Sequence, residues 1–113
     1  AAEFPVTWNA RAEGEAGRTN PEELLGAAHS ACFSMAFAHA LAGEGHAPES
    51  LQVTAAVTFQ PGEGITGSHL LVSAKVPGIS EADFERIAED AKANCPVSKA
   101  LAGIPITLEA SLA

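Results

Sequence analysis

The sequence has few basic residues and few cysteines. Its 113 residues include 6 lysines and arginines against 14 aspartates and glutamates, which gives a formal net charge of -8. Binding to a nucleic-acid backbone needs concentrated positive charge, so nucleic acid is not an expected partner. The 2 cysteines are too few for the disulfide framework of a small secreted protein. The two thiols are therefore either inert core residues or a redox pair.

The beginning of the sequence does not have the pattern of a secretory signal, so the cytoplasm is the expected location. One uncharged run, Leu24 to Ala42, has 19 residues and is long enough to raise the question of a membrane span. This run contains 7 alanines and is flanked neither by basic anchors nor by aromatic belts. These features argue against a membrane span.

The N-terminal part is predicted to contain a strand and a long helix. The residues from Phe4 to Trp8 alternate in character, which predicts a short strand leading to Arg11. The segment NPEE has the pattern of a capped helix start, so we expect a helix from Pro21 to about Leu41. Apolar or small residues cover every face of this helix, which predicts burial on most sides. A second subunit could supply the cover that so short a chain lacks.

The rest of the chain is predicted to contain three strands and two further helices. In chain order these are strands over residues 51–59 and 70–76 joined by a hairpin connection over 61–68, a helix capped by Ser80, a short helix from Pro96 to about Leu101, and a last strand over 104–112. Together these elements predict a single domain spanning residues 1–113.

The two cysteines differ in their predicted surroundings. Cys32 lies in the middle of the long helix, three residues after His29, and would ordinarily be a small core residue beside a hydrogen-bonded histidine. Cys95 precedes Pro96 and occupies the cap position of a helix, where it either serves merely as a cap or gains thiolate character from free N–H groups and the helix dipole. A thiolate at Cys32 would need a nearby cation instead.

Arg11 and Arg18 are the candidate cations upstream of Cys32. Glu22 precedes Cys32 by ten residues, roughly 15 Å along the helix axis, so within one chain it cannot touch that sulfur. Glu22 could instead orient an arginine, reach a partner subunit, or simply complement the helix dipole.

Two other kinds of site are less favoured. A metal site formed by His29, Cys32 and Cys95 would lack closely spaced ligand pairs. A cysteine hydrolase would combine Cys32 with a histidine base, but no acid or amide partner follows at a recognisable position.

The segments NPEELLGAAHSACFSMA and NCPVSKAL together resemble the OsmC/Ohr family of osmotically inducible and organic hydroperoxide resistance proteins. The resemblance runs from about Phe4 to the C-terminus, and AAHSACFSMA is similar to the OsmC branch. It implies an α+β fold in which two chains intertwine as a homodimer, with a long central helix packed on an antiparallel sheet and active sites at the interface. The family normally has an additional N-terminal hairpin before Phe4, and we expect this hairpin to be missing.

The resemblance also implies a peroxidase that needs no cofactor. Cys32 matches the cysteine that attacks an organic hydroperoxide, or less well hydrogen peroxide, and Cys95 matches the resolving cysteine that forms a disulfide with it. A dithiol reductant of the lipoyl type, or a small thiol, would reopen this disulfide. Arg11 matches the arginine that stabilises the thiolate, and Glu22 matches the glutamate that orients it across or near the dimer interface.

Three alternatives stay open. Arg18 is a rival of Arg11, and we prefer Arg11 because it ends a predicted strand rather than lying in a glycine-flanked loop. Helix electrostatics favour the thiolate at Cys95, whereas the resemblance assigns the attack to Cys32; we follow the resemblance because the full charge of a close arginine outweighs a partial dipole charge. The alternative function is a non-catalytic OsmC-like dimer with a stress-associated or ligand-binding role.

Overall fold

The structure, a computed structural model, describes residues 2–113 and combines helices with one sheet. In chain order the elements are α1 (Trp8–Ala12), α2 (Pro21–Gly43), β1 (Ser50–Gln60), β2 (Gly64–Lys75), α3 (Glu81–Asn94), α4 (Pro96–Ala100) and β3 (Ile106–Leu112). The fold is α+β, as expected.

The three strands form one sheet in the order β1, β2, β3. Strands β1 and β2 are antiparallel, with Val53 opposite Val72. Strand β3 runs parallel to β2, with Leu108 beside Leu70. Parallel neighbours cannot be joined by a hairpin, and here α3 and α4 form the crossover between them. The sheet is therefore mixed rather than purely antiparallel, which corrects the expectation.

Helices α2 and α3 cover one face of the sheet and enclose the core. The fully buried core side chains include Phe33, Phe37 and Leu41 from α2, Leu70 and Val72 from β2, and Phe84 and Ile87 from α3. The ring of Phe37 lies 5.4 Å from both Phe33 and Phe84, between centroids. Helix α2 approaches β1 closely at Gly26, where an added Cβ would lie 2.7 Å from the carbonyl oxygen of Ala55. A glycine is therefore required where the helix crosses the strand.

Helix α2 begins as predicted and buries one face. Pro21 lies in its first turn, and the Asn20 side chain accepts a hydrogen bond from the N–H of Glu23. The buried residues recur at every third or fourth position: Glu22, Gly26, His29, Phe33, Phe37 and Leu41. The opposite face is apolar, yet Met35 on it is 74% exposed. The expected burial on most sides is not reached within one chain.

By length and composition alone, α2 is the one helix among residues 2–113 that could cross a membrane. The core helix of a water-soluble domain passes the same test. Here α2 packs on β1 and α3 and directs a buried carboxylate and a buried imidazole towards polar partners inside the protein. This packing is typical of a core helix.

The predicted strand leading to Arg11 is wrong, because this segment forms the short helix α1. Thr7 has extended backbone, and its hydroxyl accepts a hydrogen bond from the N–H of Ala10, which caps the helix. Ala10 is buried and Val6 is exposed, so the alternating residues do not form the inner face of a strand. The extended pairing near this segment is a single bridge between Val6 and Thr19.

Strands β1 and β2 are longer than predicted. Strand β1 extends to Gln60 and strand β2 begins at Gly64. The connection is therefore a tight turn over residues 61–63 and is shorter than the predicted 61–68. Gly62 and Gly64 have φ values of 84° and 94°, which only glycine adopts readily. Further along, Ser80 caps α3 as predicted.

Candidate redox site

The two cysteines are both free thiols, and they are close enough to shift each other's pKa. Cys32 is partly exposed on α2, and Cys95 is fully buried between α3 and α4. Because α4 packs against α2, the two thiols lie side by side and each alters the ionisation of the other. The fold thus assembles a thiol pair from two distant segments of the chain.

Cys95 is the more acidic thiol of this pair. It ends α3 and precedes Pro96, the first residue of α4, as predicted. Burial alone would raise the pKa of the Cys95 thiol. The Cys32 thiol, the N–H and hydroxyl of Ser98, and the N–H of Val97 outweigh burial and hold that pKa below its ordinary value. The Cys95 side chain forms no regular cap hydrogen bond.

The Cys32 thiol has the opposite tendency. Burial and the neighbouring Cys95 thiol raise the pKa of Cys32, and the N–H of Val97 opposes them only in part. No lysine or arginine of the described chain is among the groups that lower this pKa. An open hollow of about 580 Å³ beside the thiol is lined by Cys32, Met35, Ala36, His39 and Pro96. A small apolar molecule can approach Cys32 from this side, whereas Cys95 is enclosed.

A buried histidine lies behind the thiol pair. His29 is fully buried, with Nδ1 2.7 Å from Ser68 Oγ and Nε2 2.8 Å from Ser98 Oγ. Burial lowers the pKa of His29, so the ring is neutral at neutral pH. Together Cys32, Cys95, His29, Ser68 and Ser98 form what we call the thiol cluster.

Arg11 and Glu22 form a bidentate ion pair. Arg11 Nε lies 2.8 Å from Glu22 Oε1 and Nη2 lies 2.9 Å from Oε2, so the guanidinium donates both hydrogen bonds in its planar fork. Hydrogen bonding to Arg11 lowers the pKa of Glu22 and keeps it ionised. The guanidinium also lies 4.5 Å from the ring centroid of Phe59. We call these three residues the arginine cluster.

Arg18 has a different partner. Its Nε lies 3.8 Å from Glu15 Oε2, and its side chain is 47% exposed. An exposed pair at this distance holds neither side chain firmly. The arginine that Glu22 orients in the structure is Arg11.

The two clusters lie apart on one chain. Glu22 and Cys32 are ten residues apart on α2, roughly 15 Å along its axis. The structure brings Cys32 to Cys95 and Arg11 to Glu22, but it does not bring Arg11 to Cys32. Ser98 is a member of the thiol cluster that the sequence analysis missed. The sequence does contain a signal for Ser98: it follows the cap residue Cys95 by three positions, and the side chain of a cap residue points towards that position.

A metal site is not formed by these residues. Among residues 2–113 there is no group of three or more His, Cys, Asp or Glu side chains that could hold a metal ion. Both ring nitrogens of His29 are engaged by serine hydroxyls, so the ring is not turned towards the two sulfurs as a ligand.

Comparison with known proteins places this geometry in a family context. A family model described as OsmC-like protein matches residues 14–109, which include Glu22 and both cysteines. The chain is 47% identical over 111 residues to the peroxiredoxin OsmC of Escherichia coli (strain K12), covering 96% of this chain and 76% of that protein. It is 36% identical over 94 residues to the organic hydroperoxide resistance protein OhrA of Bacillus subtilis (strain 168), covering 80% of this chain and 66% of that protein.

Solved structures share the fold. An organic hydroperoxide resistance protein from Elizabethkingia anophelis, with thiocyanate bound, has a TM-score of 0.76 and 28% identity, covering 99% of this chain and 82% of that one. A putative organic hydroperoxide resistance protein from Vibrio cholerae, with captopril in one of its active sites, has a TM-score of 0.73 and 26% identity, covering 98% of this chain and 76% of that one.

Proposed function

The chain belongs to the OsmC-like family, and we propose that it is a thiol-dependent peroxidase that reduces organic hydroperoxides to alcohols. The observation that carries this proposal is the pair of neighbouring free thiols, one enclosed and one open to an apolar hollow. The name of the relative at 47% identity, peroxiredoxin, points to the same chemistry.

The proposed reaction has two steps at the thiol pair. The Cys32 thiolate attacks the terminal oxygen of the hydroperoxide, an S–O bond forms, the O–O bond breaks, and the alkoxide leaves and takes up a proton to give an alcohol. Cys32 is now a sulfenic acid. The Cys95 thiolate then attacks Cys32 Sγ, a disulfide forms, and the departing hydroxide takes up a proton to give water. A dithiol, of the lipoyl type or a pair of small thiols, reopens the bridge by exchange.

A second subunit would supply the cation that Cys32 lacks. Within one chain Cys95 is the more acidic thiol, and no lysine or arginine among residues 2–113 is among the groups that lower the pKa of Cys32. The partner subunit's Arg11, held by its Glu22, would lower the pKa of Cys32 and stabilise negative charge as the O–O bond breaks. The order of acidity would then suit Cys32 as the attacking thiol and Cys95 as the resolving one.

The exposed face of α2 fits such a partner. Exposed positions on this face include Leu24, Ala27, Ala28, Ala31 and Met35, and alanines allow close helix packing. Residues 22 and 32 lie equally far from residue 27. Two antiparallel α2 helices crossing near Ala27 would therefore bring Glu22 of each chain to the same level along the helix axis as Cys32 of the other, twice, as two-fold symmetry requires. The proposed enzyme is a homodimer with two interface sites.

The surroundings of Cys32 favour an organic substrate in a reducing compartment. Its hollow is mostly apolar, which suits the alkyl part of a hydroperoxide better than hydrogen peroxide. Two free thiols that must be reduced after each turnover fit the cytoplasm.

Intact mass after oxidation tests this function. The fully reduced protein is treated with one equivalent of an organic hydroperoxide, and its mass and free thiols are measured. We expect a loss of about two mass units and of both thiols, because sulfenic acid condensation forms the Cys32–Cys95 disulfide. Hydrogen peroxide in a parallel reaction should act more slowly.

Two variants serve as controls in the same experiment. Cys95→Ser should stop at a gain of about 16 mass units, the sulfenic acid of Cys32. Cys32→Ser should keep its mass. Unchanged thiols in the wild-type protein would contradict the peroxidase and favour the non-catalytic, ligand-binding alternative.

A further inference from the structure

The buried imidazole of His29 has no part in the reaction described above, and its contacts lead to the resolving thiol. Ser98 Oγ, 2.8 Å from His29 Nε2, belongs to the first turn of α4, the helix that Cys95 precedes. The hydroxyl and N–H of Ser98 both act on the Cys95 sulfur. Ser68 Oγ, from β2, holds the other ring nitrogen at 2.7 Å. His29, Ser68, Ser98 and Cys95 are all buried.

When Cys95 is ionised, the donor and acceptor capacities of these groups fix the direction of each hydrogen bond between Ser68, His29, Ser98 and Cys95. A thiolate only accepts hydrogen bonds, so the Ser98 hydroxyl must donate to it. Ser98 Oγ is then free to accept from the ring, which requires a proton on His29 Nε2. A neutral ring has no second proton, so Nδ1 accepts from the Ser68 hydroxyl. The donors all point one way, from Ser68 through His29 and Ser98 to Cys95.

We propose that His29 is a positioning residue for the resolving cysteine: its Nε2–H holds the Ser98 hydroxyl so that this hydroxyl donates to the Cys95 thiolate. The proposal deepens the proposed function and rests on it for its biological meaning. A thiolate at Cys95 is the species that attacks the sulfenic acid of Cys32. The chain of hydrogen bonds thus favours disulfide formation in a buried site, where burial alone would favour the inert thiol.

A purely structural role for His29 makes a different prediction. A buried imidazole between two hydroxyls satisfies three polar groups, and on that account alone the two serines would be equivalent. Each donates or accepts one buried hydrogen bond to the ring at nearly the same distance. Only Ser98 also lies in the first turn of α4, three residues after Cys95, where its hydroxyl and N–H lower the pKa of the Cys95 thiol. The two serines therefore form a matched pair for experiment.

Thiolate titration of Cys95 separates the two roles. In a Cys32→Ala background Cys95 is the remaining thiol, and the titratable side chain that faces it from α2 is removed. The ultraviolet absorbance of the thiolate is followed against pH. Adding Ser98→Ala should lower the thiolate fraction about tenfold at a given pH, as expected for the loss of a hydrogen bond to a charged group. Adding Ser68→Ala should change it less than about twofold. Equal effects of the two substitutions would overturn the proposal.

The tautomer of His29 gives an independent reading. In the reduced wild-type protein, at a pH where Cys95 is ionised, the ring ¹⁵N shifts should identify a neutral imidazole protonated on Nε2. A proton on Nδ1 under those conditions would contradict the proposed direction of the hydrogen bonds.

A double-variant cycle tests whether His29 acts through Ser98. In the Cys32→Ala background, His29→Leu should reduce the thiolate fraction of Cys95 when Ser98 is present and should add little to Ser98→Ala. Additive losses would overturn the proposal; if His29→Leu does not fold, the serine pair and the tautomer still decide. Because this background has no attacking thiol, the result does not depend on peroxidase activity, and each proposal can fail without the other.

Discussion

The arginine cluster and the thiol cluster occupy different parts of α2 and are complete to different degrees. In the arginine cluster, Glu22 accepts two hydrogen bonds from the Arg11 guanidinium, and the two opposite charges are paired within one chain. In the thiol cluster, the partly exposed Cys32 has a raised pKa, and no lysine or arginine among residues 2–113 lowers it. One cluster holds an oriented cation without a reactive group, and the other holds a reactive group without a cation. We therefore predict that neither cluster suffices alone and that a subunit interface joins them.

The largest expected effect is recovery of activity by two inactive subunits. Arg11→Ala and Cys32→Ser are co-expressed with different tags, and the mixed dimer is isolated. One of its two sites then contains an intact Cys32 facing an intact Arg11 from the other chain. We expect about half of the wild-type hydroperoxide reductase activity, since one of two sites is restored.

The control for this recovery carries both substitutions on one chain. A mixed dimer of Arg11→Ala with the Arg11→Ala/Cys32→Ser double variant contains no Arg11 and should be inactive. An inactive mixture of the two single variants would show that Arg11 serves Cys32 within its own chain.

A smaller effect separates the two arginines. Arg11→Ala should slow oxidation of Cys32 on the order of 100-fold, because the cation stabilises both the thiolate and the developing alkoxide. Arg18→Ala should change this rate less than about twofold, since Arg18 is exposed and paired loosely with Glu15. The single-turnover rate of sulfenic acid formation in a Cys95→Ser background measures both. Equal effects of the two substitutions would contradict the choice of Arg11 over Arg18.

Local signals in the sequence predicted most of the helical framework around the site. Asn20 and Ser80 cap helices because their side chains satisfy free N–H groups of the first turn, and Pro96 begins α4 for the same local reason. Such signals act over three or four residues, so they are visible without tertiary structure. The cap position of Cys95 followed from them directly.

Contacts between distant segments could not be predicted in the same way. Alternation before Arg11 indicated a strand, but within residues 2–113 this segment pairs only through the single bridge between Val6 and Thr19, and the Thr7 cap begins a helix instead. The bond between His29 and Ser98 joins residues 69 positions apart and depends on how α4 packs against α2. The prediction that Cys32 and Cys95 form a pair rested on the family resemblance, since their spacing in the sequence does not indicate that they are close in space.

Dimer stability tests whether the exposed face of α2 is the interface that joins the clusters. Met35→Ala should raise the dimer dissociation constant about tenfold, the effect of losing roughly 1.4 kcal/mol of contact at an interface core. Leu71→Ala removes another exposed apolar side chain, from the sheet, and should leave the dimer unchanged. Sedimentation of both variants over a range of concentrations provides the measurement. A weaker dimer for Leu71→Ala only would move the interface to the sheet.

The smallest expected effect is a difference in pH dependence between the two clusters. Burial holds the pKa of His29 below the value of about 6.5 in an unfolded chain, so the stability that this neutral ring contributes is lost as pH falls below about 6.5. Arg11 holds the pKa of Glu22 below about 4.3, so its contribution persists to lower pH and is lost as pH falls through that depressed pKa. Chemical unfolding between neutral pH and about pH 3 should therefore show two separate losses.

Each loss should shrink with its own residue. His29→Leu should flatten the dependence in the upper window. Glu22→Gln should reduce only the lower loss, because the neutral amide no longer titrates, whereas Glu44, whose pKa is also lowered by its hydrogen bond to Arg86, still does. The second change is the smaller because the Arg11 side chain is 27% exposed and solvent screens the pair. If Glu22→Gln also flattened the upper window, the two clusters would be coupled within one chain, and their assignment to opposite sides of an interface would have to be given up.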